Sequence, residues 1–259
     1  MENKTTSPFK SIAEFEKELT TFAVKYRTIV AEHSKRISDY FEMSCYNMIV
    51  HYYELKGFTP SVENLIGGEF RFKCSPTGLL GNFSYMSLKK GKTVYRIYHN
   101  ASVQSAHDDE IYTTPDIVVA KNTPPSETKS YYSNKRRFTY IPNADLITFC
   151  EAKHLMPFPE LMFSFIGTVN ELRPSCIKPG RKRRKDSVHI APSLLMSGCF
   201  SKPTIKIAKS LSRRYYVNLF SDLFTYAYKK YFSIIGLPYI NTLTSKGLAR
   251  IDDESYNTE

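Results

Sequence analysis

Residues 145–153 read Asp-Leu-Ile-Thr-Phe-Cys-Glu-Ala-Lys (DLITFCEAK), and they contain the strongest candidate for a buried strand in the chain. The apolar and β-branched residues Leu146 to Cys150 predict a buried strand. Because side chains alternate along a strand, Glu151 and Lys153 are expected on one face and Ala152 on the other. Charges at the end of a buried strand are costly unless they are paired or bind a metal. This strand end is therefore the first candidate for a functional site.

The pattern Glu-x-Lys is weak in itself, since it occurs four times in the chain, beginning at Glu2, Glu54, Glu127 and Glu151. The first copy lies near the N-terminus, the second at a predicted helix end and the third in a polar loop. Only the copy at Glu151 closes a predicted buried strand. The strand context, not the triplet, carries the prediction.

A second acidic residue precedes another short β-branched run, in Pro115-Asp116 followed by Ile-Val-Val-Ala at 117–120. Asp116 and Glu151 are 35 positions apart, and the excursion at 121–140 would join two neighbouring strands that carry them. Two carboxylates on adjacent strands, completed by water and substrate phosphate, suit Mg²⁺ or Mn²⁺. Such a metal would lower the pKa of a bound water. Lys153 would orient that water or stabilise the phosphate electrostatically.

These residues resemble the PD-(D/E)XK nuclease superfamily, which includes restriction endonucleases and many repair and defence nucleases. The family motif is a Pro-Asp at one strand and a (Glu/Asp)-x-Lys at the next, matched here by Pro115-Asp116 and Glu151-Ala152-Lys153. The resemblance implies that Asp116 and Glu151 bind the metal and that Lys153 assists the attacking water. It also implies a core of a helix, three strands, a helix and a strand, which residues 38–220 can accommodate.

Many members of the family also carry an acid on the first core helix, and Glu42 is the candidate here. In that role Glu42 would be a third metal ligand beside Asp116 and Glu151. Asp39-x-x-Glu42 also has the pattern of an N-terminal capping box, in which both side chains are structural. Both interpretations remain open from the sequence.

The order of predicted elements indicates an α/β fold with a restriction-endonuclease-like core, in which helices flank a mixed central sheet. We divide the chain into an N-terminal helical arm at 1–37, a nuclease-like domain at 38–244 and a flexible acidic tail at 245–259. Helices are predicted at 11–36, 40–55, 160–172, 202–212 and 222–235. Strands are predicted at 69–74, 82–88, 93–99, 115–120, 145–150, 188–190 and 215–220, with a long loop or hairpin extension at 121–137.

The composition favours a globular protein that binds a polyanion. Hydrophobic residues make up 42% of the 259 residues, and the net charge is +11, so nucleic acid is the expected partner. One cationic run lies at 178–185, and we expect its side chains to contact the phosphate backbone: Lys178, Arg181, Lys182, Arg183, Arg184 and Lys185. The alternative for this run is a solvated loop.

A second set of cations, Arg136 and Arg137, stands close to Tyr131 and Tyr132 and would hold a nucleic-acid strand by stacking and charge. Paired tyrosines also suit a β-hairpin, so this assignment has a structural alternative as well. The chain has five cysteines and no CxxC pair, which favours reduced thiols and a cytoplasmic location. No apolar run approaches the roughly 20 residues of a membrane span, and no P-loop motif is present.

Together these features predict a Mg²⁺-dependent (or Mn²⁺-dependent) endonuclease that acts on DNA in genome defence or processing. Family analogy implies a homodimer that cuts both strands. Two other classes of protein remain open. One is a non-catalytic nucleic-acid-binding module on the same fold, and the other is a structural subunit of a larger complex.

Overall fold

The computed structural model describes residues 20, 29–30, 37–178 and 188–223. Most of the predicted N-terminal arm, the predicted helix at 11–36 and the tail at 245–259 lie outside these residues, as does all but the start of the predicted helix at 222–235. The same holds for residues 179–187, which include most of the basic run.

Three α-helices are described: α1 (Ile37–Leu55), α2 (Pro159–Leu172) and α3 (Lys202–Arg214). The strands in chain order are β1 (Ile29–Val30), β2 (Thr59–Glu63), β3 (Glu69–Phe70), β4 (Tyr85–Lys90), β5 (Thr93–His99), β6 (Val103–Gln104), β7 (Tyr112–Thr113), β8 (Ile117–Lys121), β9 (Ser126–Thr128), β10 (Phe138–Tyr140), β11 (Leu146–Lys153), β12 (Ser193–Met196) and β13 (Asn218–Phe220).

Seven of these strands form one mixed sheet in the order β13-β12-β11-β8-β5-β4-β2. From β2 to β11 each strand is antiparallel to its neighbour, whereas β11, β12 and β13 are parallel to one another. Parallel neighbours need a crossover connection, and α2 and α3 supply the two that are required. The predicted mixed α/β architecture is confirmed.

Each face of the sheet is covered by a separate hydrophobic core. On one face, α1 packs with Tyr46 and Ile49 against alternate strand residues such as Ile117 and Cys150. On the other face, α2 and α3 pack against the intervening residues, of which Phe149 is an example. Strands β8 and β11 are buried on both faces, which is why they appear in the sequence as continuous apolar runs.

The predicted strand positions were wrong in three places. The strand predicted at 188–190 is found at Ser193–Met196, directly after Pro192, which has no N–H to donate to a ladder. The strand predicted at 69–74 is limited to Glu69–Phe70. Strand β2 was missed because its sequence, TPSVE, is polar and contains a proline. As the outermost strand of the sheet, β2 tolerates that proline.

Two expectations about composition can be compared with the described residues. All five cysteines lie within them, and none forms a disulfide. None of the described helices is both long enough and apolar enough to cross a membrane.

Candidate active site

The ends of three neighbouring central strands lie together where these strands start or finish. We call this end of the sheet the site edge. In the antiparallel register Cys150 of β11 pairs with Ile117 of β8, so the next step brings Glu151 opposite Asp116. On the other side of β8, the N–H of Asn100 donates to the carbonyl oxygen of Asp116 at 2.8 Å. The site edge is therefore built from the end of β5, the start of β8 and the end of β11.

Lys153 joins the two acidic residues of the site edge. Its Nζ atom lies 2.8 Å from Oδ2 of Asp116 and 2.9 Å from Oε2 of Glu151. The backbone N–H of Ala152 also donates to Oδ2 of Asp116, at 2.6 Å. Asp116 is only 7% exposed, and its carboxylate is held by these two contacts to Oδ2. The ion pair between Glu151 and Lys153 is therefore part of a three-residue cluster with Asp116.

Glu42 reaches the site edge from helix α1, which packs on one face of the sheet. Ile37 and Ser38 are already helical, so Asp39 lies inside α1, which is not the position of an N-cap residue. Oε2 of Glu42 instead accepts a hydrogen bond from Nδ2 of Asn100 at 3.3 Å and lies 3.6 Å from Nε2 of His99. The arrangement disfavours the capping-box interpretation and places Glu42 beside the acidic pair.

The electrostatics of the site edge reflect burial of several like charges. Burial, reinforced by the charge of Asp116, raises the pKa of Glu42 and that of Glu151 to about 7 each. Burial alone would lower the pKa of Lys153, but the carboxylates of Glu151 and Asp116 outweigh it and raise that pKa above its ordinary value. Burial lowers the pKa of His99 to about 4. Asp116 and Glu151 thus share the ammonium group of Lys153, whose charge also acts on Glu42.

The donor chemistry of the site edge fits a hard divalent cation. Within the described ranges, no group of three or more His, Cys, Asp or Glu side chains is arranged to hold a metal ion. Mg²⁺, however, is usually bound by one or two carboxylates and completes its shell with water and substrate phosphate. Asp116 and Glu151 are such a pair, and the surplus of negative charge around Lys153 favours a cation.

Two residues that sequence reasoning missed connect Glu42 to the strand ends. Nζ of Lys73, which is 2% exposed, donates to the carbonyl oxygens of Asn100 at 2.7 Å and Ser75 at 2.6 Å. Nδ2 of Asn100 donates in turn to the carbonyl of Lys73 at 2.8 Å. Burial lowers the pKa of Lys73 to about 8. Asn100 has a left-handed backbone (φ 49°), and an asparagine directly after a predicted strand was the one available signal.

Arg136 and Arg137, two of the predicted nucleic-acid contacts, interact with residues of their own segment. Nε of Arg137 donates to Glu127 at 2.8 Å, and the guanidinium of Arg136 lies over the ring of Tyr132 at 4.8 Å. Tyr131 stacks on Phe138 with ring centroids 4.1 Å apart. These residues lie in or next to the β9–β10 hairpin, and their contact with nucleic acid stays a prediction.

The basic run at 178–185 is described only at its first residue. Lys178 is exposed, and Arg181, Lys182, Arg183, Arg184 and Lys185 lie outside the described residues. Their contact with a phosphate backbone stays a prediction.

No protein-family model, curated protein or solved structure matches this chain. The assignment of a function therefore rests on the residues of the chain itself.

Proposed function

We propose that this chain is a metal-dependent phosphodiester hydrolase of the PD-(D/E)XK type, and specifically a DNA endonuclease. One observation carries the proposal. Asp116 and Glu151, which are separated by 35 positions in the sequence, lie at one sheet edge with Nζ of Lys153 within 2.9 Å of both carboxylates. Two acids and a base arranged at adjacent strand ends are what this type of hydrolysis requires.

The connectivity of the sheet supports the same proposal. The elements α1, β5, β8, β11, α2 and β12 follow the order helix, three strands, helix, strand. The three strands are antiparallel neighbours, and β12 lies parallel to β11. With the other strands treated as additions, this order is compatible with the core that the resemblance implies, and it supports the proposal of a restriction-endonuclease-like fold.

Each residue of the cluster has a role in the proposed reaction. A bound Mg²⁺ or Mn²⁺ would be held by Asp116 and Glu151, and it would activate water and offset the phosphate charge. The N–H of Ala152 and Nζ of Lys153 hold the Asp116 carboxylate in place. Because its raised pKa keeps Nζ protonated, Lys153 is able to donate a hydrogen bond to the water or to a phosphate oxygen as negative charge builds up. Glu42 adds a third negative charge that favours a cation.

The substrate assignment rests on charge and on the family resemblance. A net charge of +11 favours a polyanion, and DNA rather than RNA follows from the resemblance. The homodimer, the cytoplasmic location and the role in genome defence or processing are parts of the same proposal.

The test is cleavage of plasmid DNA, single-stranded DNA and RNA with Mg²⁺ or Mn²⁺. Wild-type protein would be compared with Glu151→Gln and Lys153→Ala. Glu127→Gln is a matched control, because Glu127 heads another Glu-x-Lys triplet, on the β9–β10 hairpin. We expect cleavage that needs metal, falls by on the order of 10²-fold or more in both site variants and persists in the control.

Three results would contradict the proposal. Cleavage that survives both site substitutions would mean that the reaction occurs elsewhere. DNA binding without cleavage under either metal would favour the non-catalytic binding module. A stable complex with other proteins, combined with no affinity for DNA at moderate salt, would favour the structural subunit.

A further inference from the structure

Helix α3 carries a row of exposed cations that are not part of the proposed active site. Lys202, Lys206, Lys209 and Arg213 follow one another at intervals of four, three and four residues, so they lie on one face of the helix. We call this row the α3 cationic stripe. All four side chains belong to exposed residues, and α3 contains no acidic residue. No ion pair among the described residues involves them.

The opposite face of α3 is fixed to the body of the protein. Thr204, Ala208, Leu211 and Ser212 are buried, and Ala208 and Leu211 belong to the core under the sheet. The stripe is therefore presented on a rigid scaffold. At about 1.5 Å per residue, its four cations extend over roughly 16 Å.

The stripe begins at the site edge. Met196, the last residue of β12, pairs with Lys153, and the N–H of Ser197 donates to the carbonyl of Lys153 at 3.2 Å. The chain then needs only residues 197–201 to reach Lys202, where α3 starts. From there α3 runs back toward the opposite edge, where β13 begins. The four cations thus lead away from the cluster around Lys153.

Structural causes do not explain the whole stripe. Arg213 lies in the last turn of α3, where a cation is favoured by the helix dipole. Lys202 lies in the first turn, where the dipole disfavours a cation, and that turn contains no acid to compensate. Four cations on one helix face, with no ion pair to another described residue, also repel one another at a cost in stability. An anionic partner would relieve both unfavourable terms.

We infer that the α3 cationic stripe binds the phosphate backbone of the nucleic acid and leads it to the site edge. This inference rests on the proposed function, and it specifies the surface that the substrate would occupy. Successive cations are roughly 4.5–6 Å apart along the helix axis, and their contacts with phosphates would release counterions. A membrane surface is the weaker partner, because an interfacial helix needs an apolar face to insert and that face of α3 is already buried in the core.

The experiment measures binding of a fluorescent duplex DNA without divalent metal, in the Glu151→Gln background, over a range of salt concentrations. Lys206→Gln/Lys209→Gln removes two charges from the stripe. Lys89→Gln/Lys92→Gln is the matched control, because both lysines are exposed at the β4–β5 turn, at the opposite edge of the sheet. The slope of log K against log salt is negative, and we expect its magnitude to fall by about 2 in the stripe variant and to stay unchanged in the control.

Equal slopes in the two double variants would overturn the inference. So would loss of binding to phosphatidylserine vesicles in the stripe variant with DNA binding unchanged, because the occupant would then be a lipid surface. Failure of the proposed function gives a different result. If the wild-type protein never cleaves but the stripe variant has the smaller salt dependence of binding, the nuclease activity is contradicted and the inference about the stripe is supported. Normal cleavage with equal slopes contradicts only the stripe.

Discussion

Nζ of Lys153 lies 2.8 Å from Oδ2 of Asp116, although 37 positions separate the two residues in the chain. The same ammonium group lies 2.9 Å from Glu151. Its charge offsets the repulsion between two acids that the register of β8 and β11 forces together. The site edge therefore depends on Lys153 for stability as well as for the proposed chemistry.

Replacing Lys153 by Met is expected to destabilise the protein by roughly 3 kcal/mol at neutral pH, because the buried carboxylate of Asp116 and the partly buried carboxylate of Glu151 lose their partner. The loss should shrink near pH 5, where Glu151 binds a proton. Lys121→Met is the control, since Lys121 is 53% exposed and pairs with Asp145 only at 3.6 Å, which is worth less than about 1 kcal/mol. Urea unfolding at both pH values checks this, and equal losses in the two variants would refute it.

The raised pKa of Glu42 predicts a dependence of stability on pH. Because burial raises this pKa from 4.5 to about 7, the folded state binds a proton that the unfolded state has lost between these values. Glu42 therefore contributes stability below pH 4.5 that disappears as the pH rises through 7. The difference in unfolding free energy between Glu42→Gln and wild type should therefore change with pH. Between pH 4.5 and pH 8 it should shift by roughly 2–3 kcal/mol in favour of Glu42→Gln.

Unfolding free energies of wild type and Glu42→Gln over that pH range measure this effect. Glu110→Gln, at an exposed position, is the control for removing a carboxylate. A difference between Glu42→Gln and wild type that does not change with pH would show that Glu42 is not buried against Asp116.

Asn100 combines a special backbone conformation with a connecting side chain. Asn100→Gly tolerates the φ of 49° but loses the hydrogen bonds to Glu42 and to the carbonyl of Lys73, at a cost of about 1 kcal/mol each. Asn100→Ala loses the same bonds and adds about 1–2 kcal/mol of backbone strain. We expect the alanine variant to be the less stable of the two in urea unfolding. Equal stabilities would mean that the left-handed conformation is not maintained.

Gly198 packs directly against the segment that follows Lys153. A Cβ at this position would lie 2.7 Å from Cα of Met156 and 2.8 Å from the carbonyl oxygen of Leu155, so backbone must move. Gly198→Ala should lower the melting temperature and reduce cleavage together. Gly167→Ala is the matched control, because its Cβ would meet nothing within 4 Å and alanine favours a helix by about 0.5–1 kcal/mol. A melting temperature unchanged in Gly198→Ala would contradict this packing.

The elements that sequence reasoning located correctly are those with a strong local pattern. The predictions at 40–55 and 160–172 correspond to α1 and α2, and the run at 145–150 corresponds to β11. The two helices have apolar residues at helical spacing, and β11 is a continuous apolar run that ends in charged residues. Strand β2 had no such pattern, because an edge strand buries little and tolerates proline and polar residues.

The candidate site divides in the same way. The candidate residues of the proposed site could be named from the sequence alone, since an acid and a base that end an apolar run, and an acid that starts another, are local features of the chain. Only the tertiary structure decided that Asp116 lies opposite Glu151, that Glu42 turns toward Asn100 and that Lys73 is buried behind them. Strand register and helix packing arise from contacts between residues far apart in the chain. Local propensities do not specify such contacts, because the contacts depend on how the two hydrophobic cores pack against the faces of the sheet.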